Sequence, residues 1–344
     1  MIKNMKLIEE LFKPSQFTLL TAPVAAGKTK LVVEFYRDHQ YKVIFVSPLR
    51  ALANEVYTKL VSLEKNVFLA GGDIPLEDCM INFLQARKSF FVATMELLSE
   101  DFLEACEQQN EKIIFILDEF HLFYHWGESF RPILHDRFLA ILDTQAPVLG
   151  ITATMSSGLL DHLKEDLKYH NETWFHIDYG NHQLHRHPKE LHCFHMLTPE
   201  LFHRAMWREL RQKNPKDVYL IFCSYRSEVD ELVARSSRLG LRSLGCVGGE
   251  VESFLENLKN YNDEVDCIFS TTTLSHGVNL PEIKKVFINY EVKNYDFWLQ
   301  MIGRGGRRGS DYEVYTFDTF HSSKTELLKN KLKIYLSDFI GMDL

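Results

Sequence analysis

The chain has 344 residues, enough for two ordinary domains, and its 45% hydrophobic and 25% charged residues exclude a disordered protein. The formal net charge of −8 excludes a globally basic nucleic-acid-binding protein, so nucleic acid must bind through local basic and backbone N–H groups. The six cysteines form no C-x-x-C pair, the N-terminus has no signal-peptide core, and no apolar run reaches the ~18 residues of a membrane helix. These features predict a cytoplasmic protein without a disulfide or zinc framework.

The first half of the chain alternates between strand-like and helix-like patterns. A first helical pattern, at residues 7–12, is ended by Pro14. Short apolar runs rich in β-branched residues predict strands at 17–21, 43–46, 67–69, 90–92, 113–117 and 147–151. Strands that are apolar almost throughout are typical of a parallel sheet covered by helices on both faces.

The pattern changes at 171–195, which is polar, rich in histidine and contains Pro188, so an interdomain linker is predicted there. Its histidines fit no standard zinc spacing. A second series of strands follows, at 218–222, 266–270, 285–289 and 313–317. We therefore expect a first domain at 1–170, the linker at 171–195, a second domain at 196–320 and a C-terminal helix at 321–344.

Residues 22–29, APVAAGKT, lie between the first predicted strand and an amphipathic helix. A strand, a small-residue loop and a helix in this order form a phosphate cradle, because loop N–H groups and the helix dipole converge on one anionic site. Lys28 would contact the β- and γ-phosphates, and the Thr29 hydroxyl would ligate Mg²⁺. Ala22 and Ala25 stand where glycine is common, and alanine is costly wherever φ is positive, so a distorted loop is expected. A chance Gly-Lys-Thr remains the alternative for this segment alone. The candidate nucleotide-binding residues are Ala22, Pro23, Val24, Ala25, Ala26, Gly27, Lys28 and Thr29.

Asp118 and Glu119 directly follow the strongest predicted strand. Carboxylates at the carboxyl edge of a parallel sheet lie where such folds bind ligands. Asp118 is placed to hold Mg²⁺ opposite Thr29, and Glu119 to orient and deprotonate the water that attacks the γ-phosphate. The alternative is a carboxylate pair that caps a helix start.

Further polar motifs follow other predicted strands in a fixed order. In SPLRAL, Arg50 would contact a backbone phosphate, and a helix predicted to begin at Thr94 would do likewise. Thr152 and Thr154 would bond Asp118 or His121 and couple hydrolysis to movement. The second half contributes STTTLSHGVNLP at 270–281 and QMIGRGGRRG at 300–309.

This ordered set, from Thr21 to Gly309, resembles the superfamily-2 nucleic-acid helicases of the DExH branch, and GVNLP with QMIGRGGRRG is most similar to the Superkiller-like group. The resemblance implies two tandem RecA-like P-loop NTPase domains, each a mostly parallel α/β sheet flanked by helices. ATP and Mg²⁺ would lie in the cleft between them, with single-stranded RNA or DNA across the top.

The resemblance also implies roles for individual residues. His121 couples the site to the two threonines, and Gln300 senses the γ-phosphate or the attacking water. Arg304 and Arg307 are implied as arginine fingers, which would neutralise charge on the transferring phosphoryl group. The remaining implied contacts are to nucleic acid, from Arg50, Thr94, Arg226 and Thr271, and to the nucleotide, from Gly277 and Asn279.

The leading hypothesis is an ATP-dependent helicase or translocase. Ala25 and the short length motivate an alternative, an ATP-gated clamp for nucleic acid or a partner with little turnover. A small-molecule kinase is a third reading, but it leaves QMIGRGGRRG unexplained. Because the chain ends soon after the second predicted domain, we expect a protein partner to supply accessory domains. The sequence does not distinguish RNA from DNA.

Overall fold

The structure is a computed structural model that describes residues 11–109, 112–261, 264–275 and 278–317. The chain divides into two compact units, Met1–Gln183 and Leu184–Leu344. Each unit is a parallel sheet flanked by helices, which confirms the predicted α/β class. No helix of the described residues is both long enough and apolar enough to cross a membrane.

The first unit is built on seven parallel strands. In chain order they are β1 (Gln16–Thr21), β2 (Lys42–Val46), β3 (Val67–Leu69), β4 (Ser89–Ala93), β5 (Ile113–Asp118), β6 (Val148–Thr152) and β7 (Thr173–Asp178). Across the sheet they run β3-β4-β2-β5-β6-β1-β7. The helices are α1 (Lys28–Asp38), α2 (Arg50–Val61), α3 (Leu76–Gln85), α4 (Glu100–Glu107), α5 (His121–His125), α6 (Ile133–Asp143) and α7 (Ser157–Tyr169).

The core of this unit lies on both faces of the sheet. Phe115 and Leu117 of β5 pack into one buried apolar cluster, and Ile114 and Ile116 pack into another. Strand side chains alternate between faces, so an all-apolar strand is the pattern of a sheet covered on both sides.

The second unit contains six parallel strands. They are β8 (Glu190–Phe194), β9 (Val218–Phe222), β10 (Ser243–Cys246), β11 (Cys267–Ser270), β12 (Ile283–Ile288) and β13 (Glu313–Phe317), arranged β10-β11-β9-β12-β13-β8. The helices are α8 (Pro199–Gln212), α9 (Arg226–Arg238), α10 (Val251–Asn260) and α11 (Tyr295–Ile302). Leu220 and Phe222 of β9 face one core cluster, and Tyr219 and Ile221 face the other.

The segment predicted as a linker, 171–195, differs from that prediction because it contains β7 and β8. β7 pairs with β1 in the first sheet, and β8 pairs with β13 in the second. The structure divides the chain after Gln183, rather than at the predicted boundaries 170 and 196. β7 is an edge strand and has no fully buried residue, so its sequence carries no continuous apolar run. The helix predicted at 321–344 lies outside the described residues.

The single helix predicted to begin at Thr94 is divided into two elements. Residues Met95–Leu97 form one 3₁₀ turn, and α4 begins at Glu100. The Ser99 side chain accepts a hydrogen bond from Phe102 N, so it caps the α-helix and separates it from the turn.

Candidate nucleotide and nucleic-acid site

The predicted motifs of the first unit gather at the carboxyl edge of its sheet. Strands β5, β6 and β1 are neighbours, and all run in the same direction. The loops that leave them therefore emerge side by side. They are the phosphate loop (residues 22–27), Asp118 with Glu119, and residues 152–154. Ligands of parallel α/β sheets bind at this edge.

The phosphate loop joins β1 to α1, with Gly27 as the N-cap of the helix at φ +83°. Gly27 has no side chain with which to cap α1, and N–H groups in the first turn of a helix are the groups that bind anions in other proteins. Lys28 and Thr29 occupy that turn. Two backbone bonds hold the first half of the loop, from Ala22 N to Thr152 O at 3.1 Å and from Val24 N to Gln183 O at 3.0 Å.

Ala25 adopts a left-handed conformation, with φ +66°. An L-residue with a Cβ pays roughly 1–2 kcal/mol in this region, whereas glycine does not. The loop thus places an alanine where glycine is the favoured residue, and the strain expected from the sequence is present.

The acidic pair lies at the end of β5. Asp118 is buried, and its burial, followed by the negative charge of Glu119, raises its pKa to about 7, while the positive charge of Lys28 partly lowers it. Glu119 has a left-handed backbone, with φ +47°. Its Oε2 is buried and accepts no hydrogen bond from the described residues. Strain and an unsatisfied buried oxygen in one residue are typical of functional sites.

His121 connects this pair to the end of β6. Its Nδ1 lies 2.7 Å from Thr152 Oγ1 and 3.8 Å from Glu119 Oε2. Thr152 Oγ1 donates to Thr154 O at 2.9 Å, and Thr154 N donates back to Thr152 Oγ1 at 3.2 Å. The contact between His121 and a threonine of this loop, expected from the sequence, is therefore made.

Arg131, which was not among the predicted site residues, binds two other loops at the carboxyl edge of the first sheet. Its Nη1 donates to Pro48 O, after β2, at 2.7 Å, and its Nε donates to Glu96 Oε1, after β4, at 2.9 Å. Its guanidinium also lies over the Trp126 ring, 5.7 Å from the centroid. Arg131 stands between α5 and α6 and belongs to no motif considered above, so only its contacts identify it.

The predicted nucleic-acid contacts of the first unit lie beside Arg131. Arg50 is exposed at the start of α2, and its Nη2 donates to Gly71 O at 3.2 Å. Thr94 follows β4 and is partly buried. Phe130 is 66% exposed and packs on Trp126 with ring centroids 5.6 Å apart. We call residues 126–131 the aromatic loop.

Arg226 and Thr271 lie at the carboxyl edge of the second sheet. Arg226 begins α9 and donates to Gly248 O, and its Nη2 lies 3.5 Å from Glu250 Oε1. Thr271 follows β11, and its hydroxyl is 2.9 Å from that of Thr273. Both predicted residues thus follow strands of one sheet.

The predicted residues of the QMIGRGGRRG motif lie in the last turn of α11 or shortly after it: Gln300, Arg304 and Arg307. Gln300 and Arg304 are buried, at 2% and 1% exposure. Arg304 Nη1 donates to Val278 O at 2.7 Å, whereas Arg307 is exposed and its Nε donates to Gly303 O at 3.1 Å. Asn279 is exposed. Gly277, predicted to contact the nucleotide, lies outside the described residues.

The glycines between these arginines have a packing reason. A Cβ built on Gly305 would lie 2.0 Å from the Tyr312 ring, and one on Gly306 would lie 2.5 Å from it. Only glycine fits these two positions. Gly305 and Gly306 of QMIGRGGRRG therefore lie in a closely packed turn.

Two family models match the chain. The model described as "DEAD/DEAH box helicase" matches residues 5–162, and "Helicase conserved C-terminal domain" matches residues 202–309. Together they cover more than three quarters of the chain. The chain therefore carries a DEAD/DEAH box helicase domain followed by a helicase conserved C-terminal domain.

Curated relatives include DNA and RNA helicases. The chain is 23% identical to the RecQ-like DNA helicase BLM of Xenopus laevis, over 81% of this chain and 21% of that protein. It is 22% identical to the ATP-dependent DNA helicase RecQ of Bacillus subtilis, over 65% of this chain and 37% of that protein. A shorter match, 33% identical over 36% of this chain and 20% of the relative, is to DEAD-box ATP-dependent RNA helicase 35B of Oryza sativa. The chain thus spans well under half the length of these relatives.

Solved structures share the fold. The structure of S. cerevisiae Dbp5 bound to RNA and ADP BeF3 matches with a TM-score of 0.65 at 15% identity, covering 94% of this chain and 83% of that one. DEAD-box helicase Mss116 bound to ssRNA and UDP-BeF matches with a TM-score of 0.67 at 15% identity, covering 92% and 74%. Both units are RecA-like domains, as the sequence predicted.

Proposed function

We propose that this chain is an ATP-dependent helicase or translocase that hydrolyses ATP and moves on single-stranded nucleic acid. Its two helicase domains support this proposal. The observation that carries it is the acidic pair, Asp118 and Glu119, beside Lys28 at the carboxyl edge of the first sheet. The contact between His121 and Thr152 would couple that pair to the loop after β6.

The residues present fit ATP and Mg²⁺. Lys28 and the N–H groups of the first turn of α1 would bind phosphate oxygens. The Thr29 hydroxyl and the Asp118 carboxylate are hard oxygen ligands, which suit Mg²⁺, and the cation would neutralise charge on the transferring phosphoryl group. Glu119, whose Oε2 has no donor among the described residues, would orient and deprotonate the attacking water.

A cavity of about 490 Å³ adjoins the phosphate loop and has room for the base of the nucleotide. Phe12, Phe35 and Tyr179 line it, together with Gly27 and Lys28. Its predominantly apolar wall favours stacking over a hydrogen-bonded readout, so we expect weak discrimination between bases.

The nucleic-acid contacts of the proposal fall into two kinds. Arg50, Thr94, Arg226 and Thr271 would bind the sugar-phosphate backbone, which gives little sequence preference. Phe130 offers an exposed aromatic face on which a base can stack, as in other single-strand-binding surfaces. The proposal includes RNA and DNA, because the matching relatives are named as helicases of both.

In the second unit, the exposed Arg307 is the better supported arginine finger. Arg304 Nη1 donates to Val278 O, so this side chain would mainly position the GVNLP segment. Gln300, Asn279 and Gly277 would contact the nucleotide. The GVNLP and QMIGRGGRRG strings support the finer assignment to the Superkiller-like DExH group. We also propose that a protein partner supplies accessory domains.

The test is ATP hydrolysis measured side by side with single-stranded RNA, single-stranded DNA and duplex at one stated salt concentration. We expect stimulation by a single strand. Lys28→Ala should abolish hydrolysis, and Glu119→Gln should keep ATP binding but stop turnover. Lys164→Ala, which removes an exposed lysine of α7 that does not line the cavity beside the phosphate loop, is the control. Full activity in Lys28→Ala, or a rate that no nucleic acid changes, would contradict the proposal.

A further inference from the structure

The last residue of β7 and the five residues that follow it, 178–183, contact β1, the phosphate loop and the loop after β6, and we call them the brace. Thr21 Oγ1, at the end of β1, donates to Asp178 Oδ1 at 3.0 Å. The same oxygen accepts from Gly180 N at 2.8 Å and Asn181 N at 2.7 Å. Asp178 therefore shapes the brace and ties its start to the strand that carries the phosphate loop.

The brace then lies against the phosphate loop itself. Gly180 has φ +133°, and a Cβ built on it would lie 2.9 Å from Pro23 Cγ. Three residues later, Gln183 O accepts from Val24 N at 3.0 Å. The first half of the phosphate loop is thus packed by one brace residue and hydrogen-bonded by another.

The brace also holds the loop after β6. The Asn181 side chain accepts from Met155 N at 2.8 Å and donates to Met155 O at 2.9 Å. His182 N donates to Ala153 O at 3.1 Å. These bonds fix the backbone on both sides of Thr154. The backbone of Thr154 is hydrogen-bonded to Thr152 Oγ1, which in turn contacts His121.

Support from outside matters because the phosphate loop is strained. Ala25 has φ +66°, and this conformation persists only when surrounding structure enforces it. The apparent affinity for nucleotide equals the intrinsic affinity multiplied by the fraction of time that the loop keeps its binding shape, so time spent in other conformations weakens binding. The brace supplies contacts at Pro23 and Val24, directly before the strained residue.

We propose that the brace is a positioning element for nucleotide binding, which holds the phosphate loop and residues 153–155 in their binding shape through Asp178, Gly180 and Asn181. Ligand recognition at this loop rests on the proposed function, whereas the bracing itself does not. The two are therefore separable by experiment.

The first test compares two glycines that both have positive φ. In Gly180→Ala the new methyl group meets Pro23, whereas Gly240→Ala, at φ +81° in the second unit, meets nothing within 4 Å. Both substitutions thus place a side chain at a positive φ, and only the first presses on the phosphate loop. We expect amide hydrogen exchange at residues 22–27 of the nucleotide-free protein to become about tenfold faster in Gly180→Ala alone.

The second test compares Asp178→Ala with Asp178→Asn. Alanine removes the oxygen that accepts three hydrogen bonds, and asparagine keeps it. Asp178→Ala should speed exchange at residues 22–27 and weaken binding of a fluorescent ADP analogue about five- to tenfold. Asp178→Asn should restore both to near the wild-type values. Asn181→Ala should speed exchange at residues 153–155.

Unchanged exchange at residues 22–27 in both Gly180→Ala and Asp178→Ala would overturn the bracing. Faster exchange with unchanged analogue binding would overturn its role in binding. If the wild-type protein bound no nucleotide, the proposed function would fail, but the exchange comparison in nucleotide-free protein would still decide whether the brace exists.

Discussion

Two residues at the candidate site, Ala25 and Glu119, adopt left-handed backbone conformations that L-residues disfavour. They lie on loops that leave β1 and β5, and only β6 separates these strands. The strain at Ala25 was expected from the sequence, because alanine stands there where glycine is common, but nothing in the sequence indicated the conformation of Glu119, since φ depends on the surrounding packing. The sequence did identify both residues, through the resemblance of their motifs to known phosphate and metal sites.

Ala25→Gly should relieve this strain. We expect the free energy of unfolding to rise by ~0.5–1 kcal/mol, since relief of the left-handed strain exceeds the entropy that glycine adds to the unfolded chain. Ala26→Gly, next in the loop and without a positive φ, should change it in the opposite direction. Urea unfolding measures both. Equal effects of the two substitutions would show that the conformation of Ala25 costs nothing.

Asp118 should make the stability of the nucleotide-free protein depend on pH. Its folded pKa, about 7, exceeds its ordinary value of 3.8, so the native state retains a proton that the unfolded chain releases between about pH 4 and 7. Its contribution to stability therefore falls as pH rises through this window. Asp118→Asn should stabilise the protein by about 2–4 kcal/mol at pH 8 and by less at pH 5.

Thermal unfolding of wild type and Asp118→Asn at the two pH values checks this expectation, with Mg²⁺ and nucleotide absent. On the proposed function, Mg²⁺ would bind Asp118 in its ionised form, so the affinity of the wild-type protein for Mg²⁺ with ADP should also fall below about pH 7. A stability difference that is the same at pH 5 and pH 8 would show that Asp118 does not titrate in this range.

At the scale of elements, the sequence predicted every central strand and the edge strand β3, but it missed the edge strands β7, β8 and β10. β5 is apolar up to its last residue, Asp118, and β9 is apolar throughout, so their composition alone indicates burial on both faces. β7 and β8 border their sheets and are half exposed, so a polar, histidine-rich sequence forms them through pairing with β1 and β13. Edge strands depend on a neighbour from elsewhere in the chain, and local sequence does not encode that neighbour.

The contacts of the aromatic loop were likewise not predictable from local sequence. Its exposed Phe130 and the bonds of Arg131 to Pro48 and Glu96 depend on how α5 and α6 pack, not on a local pattern. The motif residues after β2 and β4 were predicted, but the arginine that holds their loops together was not.

Phe130→Ala should weaken binding of a single strand without unfolding the protein. Stacking of one base on an aromatic ring contributes about 1–3 kcal/mol, so we expect at least a fivefold rise in Kd. The control is Tyr169→Ala, which removes a ring that is 83% exposed at the end of α7, away from the carboxyl edge. Fluorescence anisotropy with a labelled oligonucleotide measures both. An equal loss of oligonucleotide affinity in the two variants would show that the aromatic loop does not contact nucleic acid.

At the scale of the molecule, each unit has its own sheet and its own buried clusters. The two-domain organisation was therefore predictable from two series of strands. Its boundary was not, because the polar stretch between them contains one strand of each sheet.

The fragment 1–183 should fold on its own and bind ADP, and the shorter fragment 1–170 should be less stable and bind it more weakly. The shorter fragment lacks β7, which pairs with β1 along its whole length, and also lacks the brace. Thermal unfolding and analogue binding on the two fragments test this. Equal stability and affinity would favour the boundary at 170.

Gln183 is the last residue of the first unit, and its carbonyl oxygen holds the amide of Val24. A force on the backbone at Leu184 would therefore reach the phosphate loop across a single peptide unit. If the second unit is pulled along a nucleic-acid strand, the hydrogen bond between Gln183 and Val24 would transmit force to the phosphate loop. The rate of ADP release should then change with applied tension, which single-molecule pulling at Leu184 would measure.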